Sequence, residues 1–285
     1  MTAMRRGDDL FCLEQGAWLW TRTVGVPIYD FAFERFFVCR RTPPATDELE
    51  IVARIGAFDD YARSYAELLG QGLRLINSPD QHLRATRLPR WYPLLEDLTP
   101  KSLCFAAAPD PELIESELGW PVFMKGERQT NRHERSLSII AGPEQLRAAL
   151  RAYAEDPLLR WQGIVCRRLA PLRPVEDPDP RRIPSSFEFR SFWWRGELVG
   201  IGRYWSQGRD YGLTGAEELA ALTIAREAAR RVDVPFLVVD LAQQIDGTWI
   251  VIECNDGQES GYAGVSPLAM WQAITRLEAR GLAGD

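Results

Sequence analysis

An α/β chain built of α+β subdomains is the fold class that three features of this sequence predict. Short β-rich runs alternate with segments whose apolar residues recur at helical spacing. Two pairs of β-rich runs are separated by two-residue turn signals, Arg195-Gly196 and Asp246-Gly247, so hairpins intrude into the alternation. The 285 residues, 46% hydrophobic and 26% charged, have the make-up of a globular chain of roughly two domains.

The elements follow in order. Residues 11–40 are rich in Trp, Phe and Tyr and read as buried strands of an N-terminal unit. Thr46 to Leu69 carries Leu49, Val52, Ile55, Tyr61, Tyr65, Leu68 and Leu69, which reads as one or two helices ending at Gly70. Leu73 to Asn77 reads as a strand. Ser78-Pro79 is an N-cap followed by proline at the first helical position, opening a helix to about Leu88. Leu103 to Ala108 is a strand, and Asp110-Pro111-Glu112 opens a helix that stops at Gly119. Pro121 to Met124 is a strand leading into Lys125, with Ser136 to Ile140 as its hairpin partner. A helix over Pro143 to Ala154, a strand over Gly163 to Leu169 and a helix over Ala216 to Val232 complete the pattern. Pro171 to Pro184, with five prolines in fourteen residues, is a loop.

Composition excludes several function classes. With 34 Lys+Arg against 40 Asp+Glu the net charge is −6, which argues against a nucleic-acid binder driven by overall charge. No apolar run approaches the ~18 residues of a membrane span, and no apolar segment follows the basic start, so neither a span nor a secretory signal is expected. The five cysteines are scattered and form no CxxC pair. A reducing cytoplasm is the expected compartment.

The second hairpin carries the strongest chemistry. With Asp246-Gly247 as a two-residue turn, Ile245 pairs with Thr248, Ala242 with Val251 and Asp240 with Glu253, while Asn255 faces Val238. The reverse face, Leu237, Val239 and Leu241 against Ile250, Ile252 and Cys254, is apolar and belongs to a core. Directly opposed carboxylates repel unless a cation joins them. Asp240, Glu253 and Asn255 are hard oxygen donors that suit Mg²⁺ shared with phosphate, the alternative being a solvated outer face. In the first hairpin, an Arg195-Gly196 turn sets Glu188 against Arg203 and Arg190 against Ile201. Those three charged residues then share a face, either as a surface salt bridge or as a phosphate or carboxylate clamp in which Glu188 orients an arginine.

Of the 34 basic residues only Lys101 and Lys125 are lysine, so a lysine here marks a place where arginine's planar fork does not serve. Lys125 ends a strand before a polar loop containing Arg128, Arg132, His133 and Arg135, an arrangement able to hold phosphates. No GxxxxGK[ST] or kinase motif set is present, and His82 and His133, the only histidines, have neither triad nor zinc spacing.

The ordered set Asn77-Ser-Pro-Asp80, Thr99-Pro-Lys101, Gly119-Trp-Pro-Val-Phe-Met-Lys125, Ile164-Val-Cys-Arg-Arg-Leu169, Phe187-Glu-Phe-Arg190, Asp240 and Glu253-Cys-Asn255 resembles the ATP-grasp superfamily. It is nearest to a phage and bacterial branch with largely unassigned substrates. The resemblance spans about residues 73 to 267 and implies an ATP-grasp fold behind an N-terminal α/β domain. The implied divisions are 1–100 for that domain, 101–163 for the lid subdomain and 164–285 for the C-terminal subdomain with the metal site. Also implied are ATP and Mg²⁺ as cofactors. Lys125, Lys101 and Arg128 would contact the nucleotide, and the hinge Val165, Cys166, Arg167, Arg168 and Leu169 would read adenine. Asp240, Glu253 and Asn255 would hold Mg²⁺, and Arg190, Arg203 and Glu188 would form the catalytic group.

The activity implied is an ATP-dependent carboxylate–amine ligase acting on small-molecule or peptide substrates. A small-molecule kinase on the same fold and a non-catalytic nucleotide-binding protein are the alternatives. The aromatic N-terminus and the loop Gly257 to Tyr262 are the candidates for acceptor contacts. Arg167 and Arg168 stand where the family often has a hinge glutamate, and Gly126 is the only glycine next to Lys125 in the following loop.

Overall fold

The computed structural model describes residues 8–26, 29–42, 48–128, 135–157, 159–176, 183–205 and 210–281. Arg132, His133 and the proline-rich stretch 177–182, singled out above, lie outside the described residues. Three sheets organise the rest.

The first sheet holds β1 (Asp9–Leu13), β2 (Trp18–Thr21), β3 (Cys39–Arg40), β4 (Leu49–Arg54) and β5 (Leu73–Leu75), in the order β3-β1-β2-β4-β5. The aromatic segment does form buried strands, with Trp18 and Trp20 inside, although Phe36 is exposed. The expected helical stretch from Thr46 to Leu69 divides. Its first half is β4, parallel to β2 and β5, and only Tyr61–Leu69 is helix α1, capped by the Asp60 carboxylate. Ile51, Val52 and Ala53 are all buried, and a parallel strand covered on both faces loses the alternation that distinguishes it from a helix.

Helix α2 (Pro79–Thr86) starts on the expected Ser78 cap, closed by Gln81 into a full capping box, and α3 (Leu88–Trp91) follows at once. The second sheet holds β6 (Ser102–Phe105), β7 (Val122–Gly126), β8 (Ile139–Ile140) and β9 (Ile164–Arg168), antiparallel throughout in the order β6-β9-β7-β8. Helices α4 (Pro111–Glu117), α5 (Arg135–Ser138) and α6 (Pro143–Glu155) accompany it. A division at 163/164 would separate β9 from its own sheet, because β9 is hydrogen-bonded to both β6 and β7.

The third sheet carries β10 (Glu188–Trp194), β11 (Glu197–Arg203), β12 (Phe236–Gln243) and β13 (Trp249–Asp256), ordered β11-β10-β12-β13. Helix α7 (Gly215–Val232), with α2 and α3, covers one face through Ala221, Ala225, Ala228, Ala85, Leu88 and Trp91. Helix α8 (Pro267–Gly281) and the first sheet cover one end of the other face, where Phe192, Phe236 and Val238 meet Met270, Trp271 and Phe33. The remaining end of that face carries polar residues and meets the second sheet. No helix among the described residues is long and apolar enough to cross a membrane.

Gly202 on β11 faces the backbone of Gly264. A Cβ added at Gly202 would stand 2.3 Å from the Gly264 carbonyl carbon, and neither backbone can yield without breaking the sheet edge. Gly202→Ala is expected to destabilise the chain by about 1–3 kcal/mol. Gly215→Ala, in open space at the start of α7, should be neutral or stabilising. Urea midpoints at unchanged slope measure both, and an unshifted midpoint for Gly202→Ala would refute the close-packing argument.

Candidate active site

The hairpin of β12 and β13 brings Asp240 opposite Glu253 and Val238 opposite Asn255, as the turn arithmetic predicts. It does so through two departures that cancel. The loop has three residues rather than two: Gln244 N–H donates to Thr248 O at 2.8 Å, and Gly247 takes φ +90°. The lower pairs are therefore Ala242 with Ile250 and Leu241 with Val251, one residue off the expected register. A bulge between Asp240 and Leu241 restores it. In consequence Trp249 and Val251 enter the core, and the expected Ile250 and Ile252 do not. Ile252 instead lines the cleft beside Glu253.

The first hairpin has the Arg195-Gly196 turn but also a bulge, after Phe192, which leaves Val199 unpaired. From there the register slips by one. Arg190 pairs with Gly202, Phe189 pairs with Arg203, and Glu188 does not face Arg203. Arg203 thus turns to the opposite face, 2.6 Å from Asp210 and beside the Tyr211 ring. A one-residue slip inverts every side chain beyond it.

Four adjacent strands now carry the row Gly202, Arg190, Asp240, Glu253. Arg190 grips Asp240 with both prongs: Nε donates to Oδ1 at 2.9 Å and Nη2 to Oδ2 at 2.8 Å. Its Nη1 donates to Gly261 O at 3.0 Å, and its guanidinium lies 5.0 Å from the Tyr204 ring centre. Lys125, projecting from β7 of the second sheet, donates to Glu253 Oε1. Lys125 is 5% exposed and Asp240 1%. Two cations and two carboxylates thus neutralise each other where water is scarce. Asn255 shares the Glu253 face and is half-buried.

Burial opposes ionisation of Glu253, but Lys125, helped by Arg190 and Arg167, outweighs it and holds the carboxyl below its ordinary value. For Asp240 burial is the larger influence and lifts the carboxyl against the pull of Arg190. Glu188 has no cation in contact among the described residues. Burial and then the Asp240 charge push it up to about 8, and it is bonded to Ser186 Oγ at 3.0 Å.

A cleft of about 130 Å³ runs between the second and third sheets, lined by Phe123, Lys125, Arg167, Leu169, Glu188 and Tyr204 among others. That is below the ~300–1,000 Å³ of ordinary ligand sites, so admitting a nucleotide requires the two sheets to part. Arg167 donates from Nε to Ser102 Oγ at 3.1 Å and from Nη1 to Ile252 O at 2.7 Å, while its buried Nη2 has no hydrogen bond among the described residues. Of the remaining hinge residues, Val165 and Cys166 point into cores, and Arg168 and Leu169 line the cleft. Lys101 does not join it, being half-exposed and paired with Glu117 at 2.5 Å. Arg128 is also elsewhere, bonded to Glu259 at 2.6 Å in a separate cavity. Sequence reasoning missed Tyr204 and Ile252. The aromatic pair Tyr204-Trp205 straight after a charged strand end was the available signal for the first, and the bulge hid the second.

Glu188 generates a pH test. Its proton is held more tightly in the folded than in the unfolded chain. The stability it contributes is therefore complete below about pH 4.3 and is lost as pH rises through about 8. Glu188→Gln has no such loss. The variant's melting temperature relative to wild type should climb steadily between pH 5 and pH 9. A constant offset across that range would contradict the raised value.

Comparisons with known proteins agree with this geometry. A family model described as an ATP-grasp domain of clade family 3 matches residues 117–274, more than half of the chain. No curated protein matches. Among solved structures, a RimK domain protein ATP-grasp from Sphaerobacter thermophilus aligns with TM-score 0.56 at 14% identity, over 84% of this chain and 83% of that one. The D-alanine–D-alanine ligase of Bacillus anthracis, solved with ATP, aligns with TM-score 0.57 at 12% identity, over 83% and 80%. At such identities the likeness is one of fold. The residues that match the family model include Lys125, Arg190, Asp240, Glu253 and Asn255, and the chain belongs to the ATP-grasp superfamily, in the third family of that clade.

Proposed function

We propose that the chain is an ATP- and Mg²⁺-dependent ligase that activates a carboxylate as an acyl phosphate and passes the acyl group to an amine. The observation that carries this reading is the paired row Lys125–Glu253 and Asp240–Arg190 at the meeting of two sheets. Opposed buried carboxylates have no structural use that apolar residues would not serve better. Each is instead matched by a cation suited to phosphate.

The donor set fits magnesium. Asp240, Glu253 and Asn255 offer hard oxygens from one face of one hairpin. When bound there, Mg²⁺ would supply charge neutralisation on the transferring phosphate. The chain's own residues do the rest. Lys125 and Arg190, released from their carboxylates, bind phosphate oxygens, Lys125 the α and β groups and Arg190 the γ group. Arg167, with its unbonded Nη2, and Leu169 position the nucleotide at the hinge. The substrate carboxylate oxygen forms a bond to the γ-phosphorus as the bond to ADP breaks. The amine nitrogen then bonds the acyl carbon as the acyl–phosphate bond breaks. Closure of the cleft excludes water, which would otherwise hydrolyse the acyl phosphate. Glu188, neutral through most of the physiological range, is a donor at the cleft floor rather than a fixed charge.

Calorimetry with a non-hydrolysable ATP analogue tests the proposal. Binding should require Mg²⁺ and should weaken at least tenfold in Glu253→Gln and in Lys125→Met. The first variant should also lose most of the Mg²⁺ dependence. Absence of nucleotide binding with and without Mg²⁺ would overturn the ligase reading.

A further inference from the structure

A second buried polar cluster lies beyond the carboxyl ends of the parallel strands β4 and β5, where α/β units commonly place ligands. A cavity of about 570 Å³ opens there between the start of α1, one side of α2 and the loop after β7. This is the size of an ordinary small-molecule site. One wall is apolar, with Phe58, Leu83 and Trp161. The other wall contains His82, which is 3% exposed and stacks flat on Tyr61, the ring centres 3.9 Å apart and 3° from parallel.

His82 is prepared for a donor. Its Nδ1 lies 3.1 Å from Asp256 Oδ2, and a carboxylate can only accept, so in the neutral ring Nδ1 carries the hydrogen and Nε2 keeps its lone pair. No hydrogen bond among the described residues uses Nε2. Glu259 Oε2 stands 3.9 Å from it, outside bonding distance, in a carboxyl group that also takes Phe58 N–H at 2.8 Å and Arg128 Nη2 at 2.6 Å.

Charge selects the ligand class. The cations lining the cavity are each engaged by an acid, Arg87 by Glu127 at 2.6 Å and Arg128 by Glu259 at 2.6 Å. Asp59 and Asp60 at the rim and Asp256 behind His82 are left in excess, so the cavity is net negative and concentrates cations. Its position suits a second substrate. Arg128 is three residues beyond Lys125, and Asp256 is three beyond Glu253, about 10 Å of extended chain in each case.

We infer that this cavity is the pocket of the amine substrate, taking a primary ammonium on an apolar body, with His82 Nε2 and Glu259 accepting its N–H groups. The assignment rests on the ligase reading for its meaning, but its test does not depend on nucleotide. The chain has only two histidines, so the ring Cε1–H signal of His82 is assignable by comparison with His82→Asn. Phenethylammonium, phenylacetate and 2-phenylethanol, equal in apolar body and different in charge, are titrated separately into the full chain.

The amine should shift the His82 signal saturably, with an affinity at least tenfold above that for the acid or the alcohol. Glu259→Gln should weaken it about tenfold, and Asp59→Asn, at the exposed rim, about threefold. No shift with the amine, or equal shifts with all three probes, would overturn the assignment. Failure of the wild type to bind the ATP analogue would overturn the ligase reading while leaving an amine-specific shift of His82 standing, so the two failures are separable.

Discussion

Everything at the centre of this molecule depends on two buried ion pairs laid side by side. Lys125–Glu253 joins the second sheet to the third, and Arg190–Asp240 spans adjacent strands of the third. Taking any one of these charges out of water alone would cost several kcal/mol. Removing one partner leaves the other stranded, so the four groups hold one another in the ionised, oriented state. The rest of the fold serves that arrangement. Helices α2, α3 and α7 make one face of the third sheet dry, and α8 with the first sheet covers one end of the other face. The charged row occupies what remains.

Much of this was legible in the sequence, and the parts that were not have a common physical origin. Caps and turns are local chemistry, so Ser78-Pro79, Asp110-Pro111 and both hairpin turns mark their elements correctly. Bulges are not local. They are selected by what packs above and below the sheet, and no residue type announces one. The bulge at Asp240 offsets an equally unannounced extra loop residue, so the carboxylate pair was read correctly although half its hairpin was out of register. The bulge at Phe192 has nothing to offset it, and Arg203 went to the wrong face. The β4 segment failed for another reason, burial on both sides, which erases the period that separates strand from helix.

The scarcity of lysine separated the two lysines only in part. It drew attention equally to Lys101 and Lys125, yet one is a half-exposed surface partner of Glu117 and the other is nearly inaccessible. What distinguishes them is the strand register of the second sheet, where Lys125 pairs with Val165 and projects toward Glu253. Arg128 illustrates the same limit. A basic residue near a phosphate-binding lysine looks like a phosphate contact, but the loop carries it past the cleft to Glu259.

Arg54 has a consequence for how such a chain can be recombined. Its Nη1 donates to the carbonyls of Gly257, Gln258 and Ser260, and its guanidinium lies 4.5 Å from the Tyr262 ring centre. Ala53 N–H and the Tyr61 hydroxyl bind the Gln258 side chain from the same side. The loop that follows the charged strand therefore takes its shape from residues about two hundred positions earlier. The N-terminal unit is not an interchangeable cassette. Grafting it from a relative would transplant half of a lock whose other half stays behind, unless residues 53–61 and 256–262 travelled together. Divergence between members of such a family is then constrained to proceed in matched pairs of loops, and exchange of one without the other would leave a well-folded core beside a misshapen cavity.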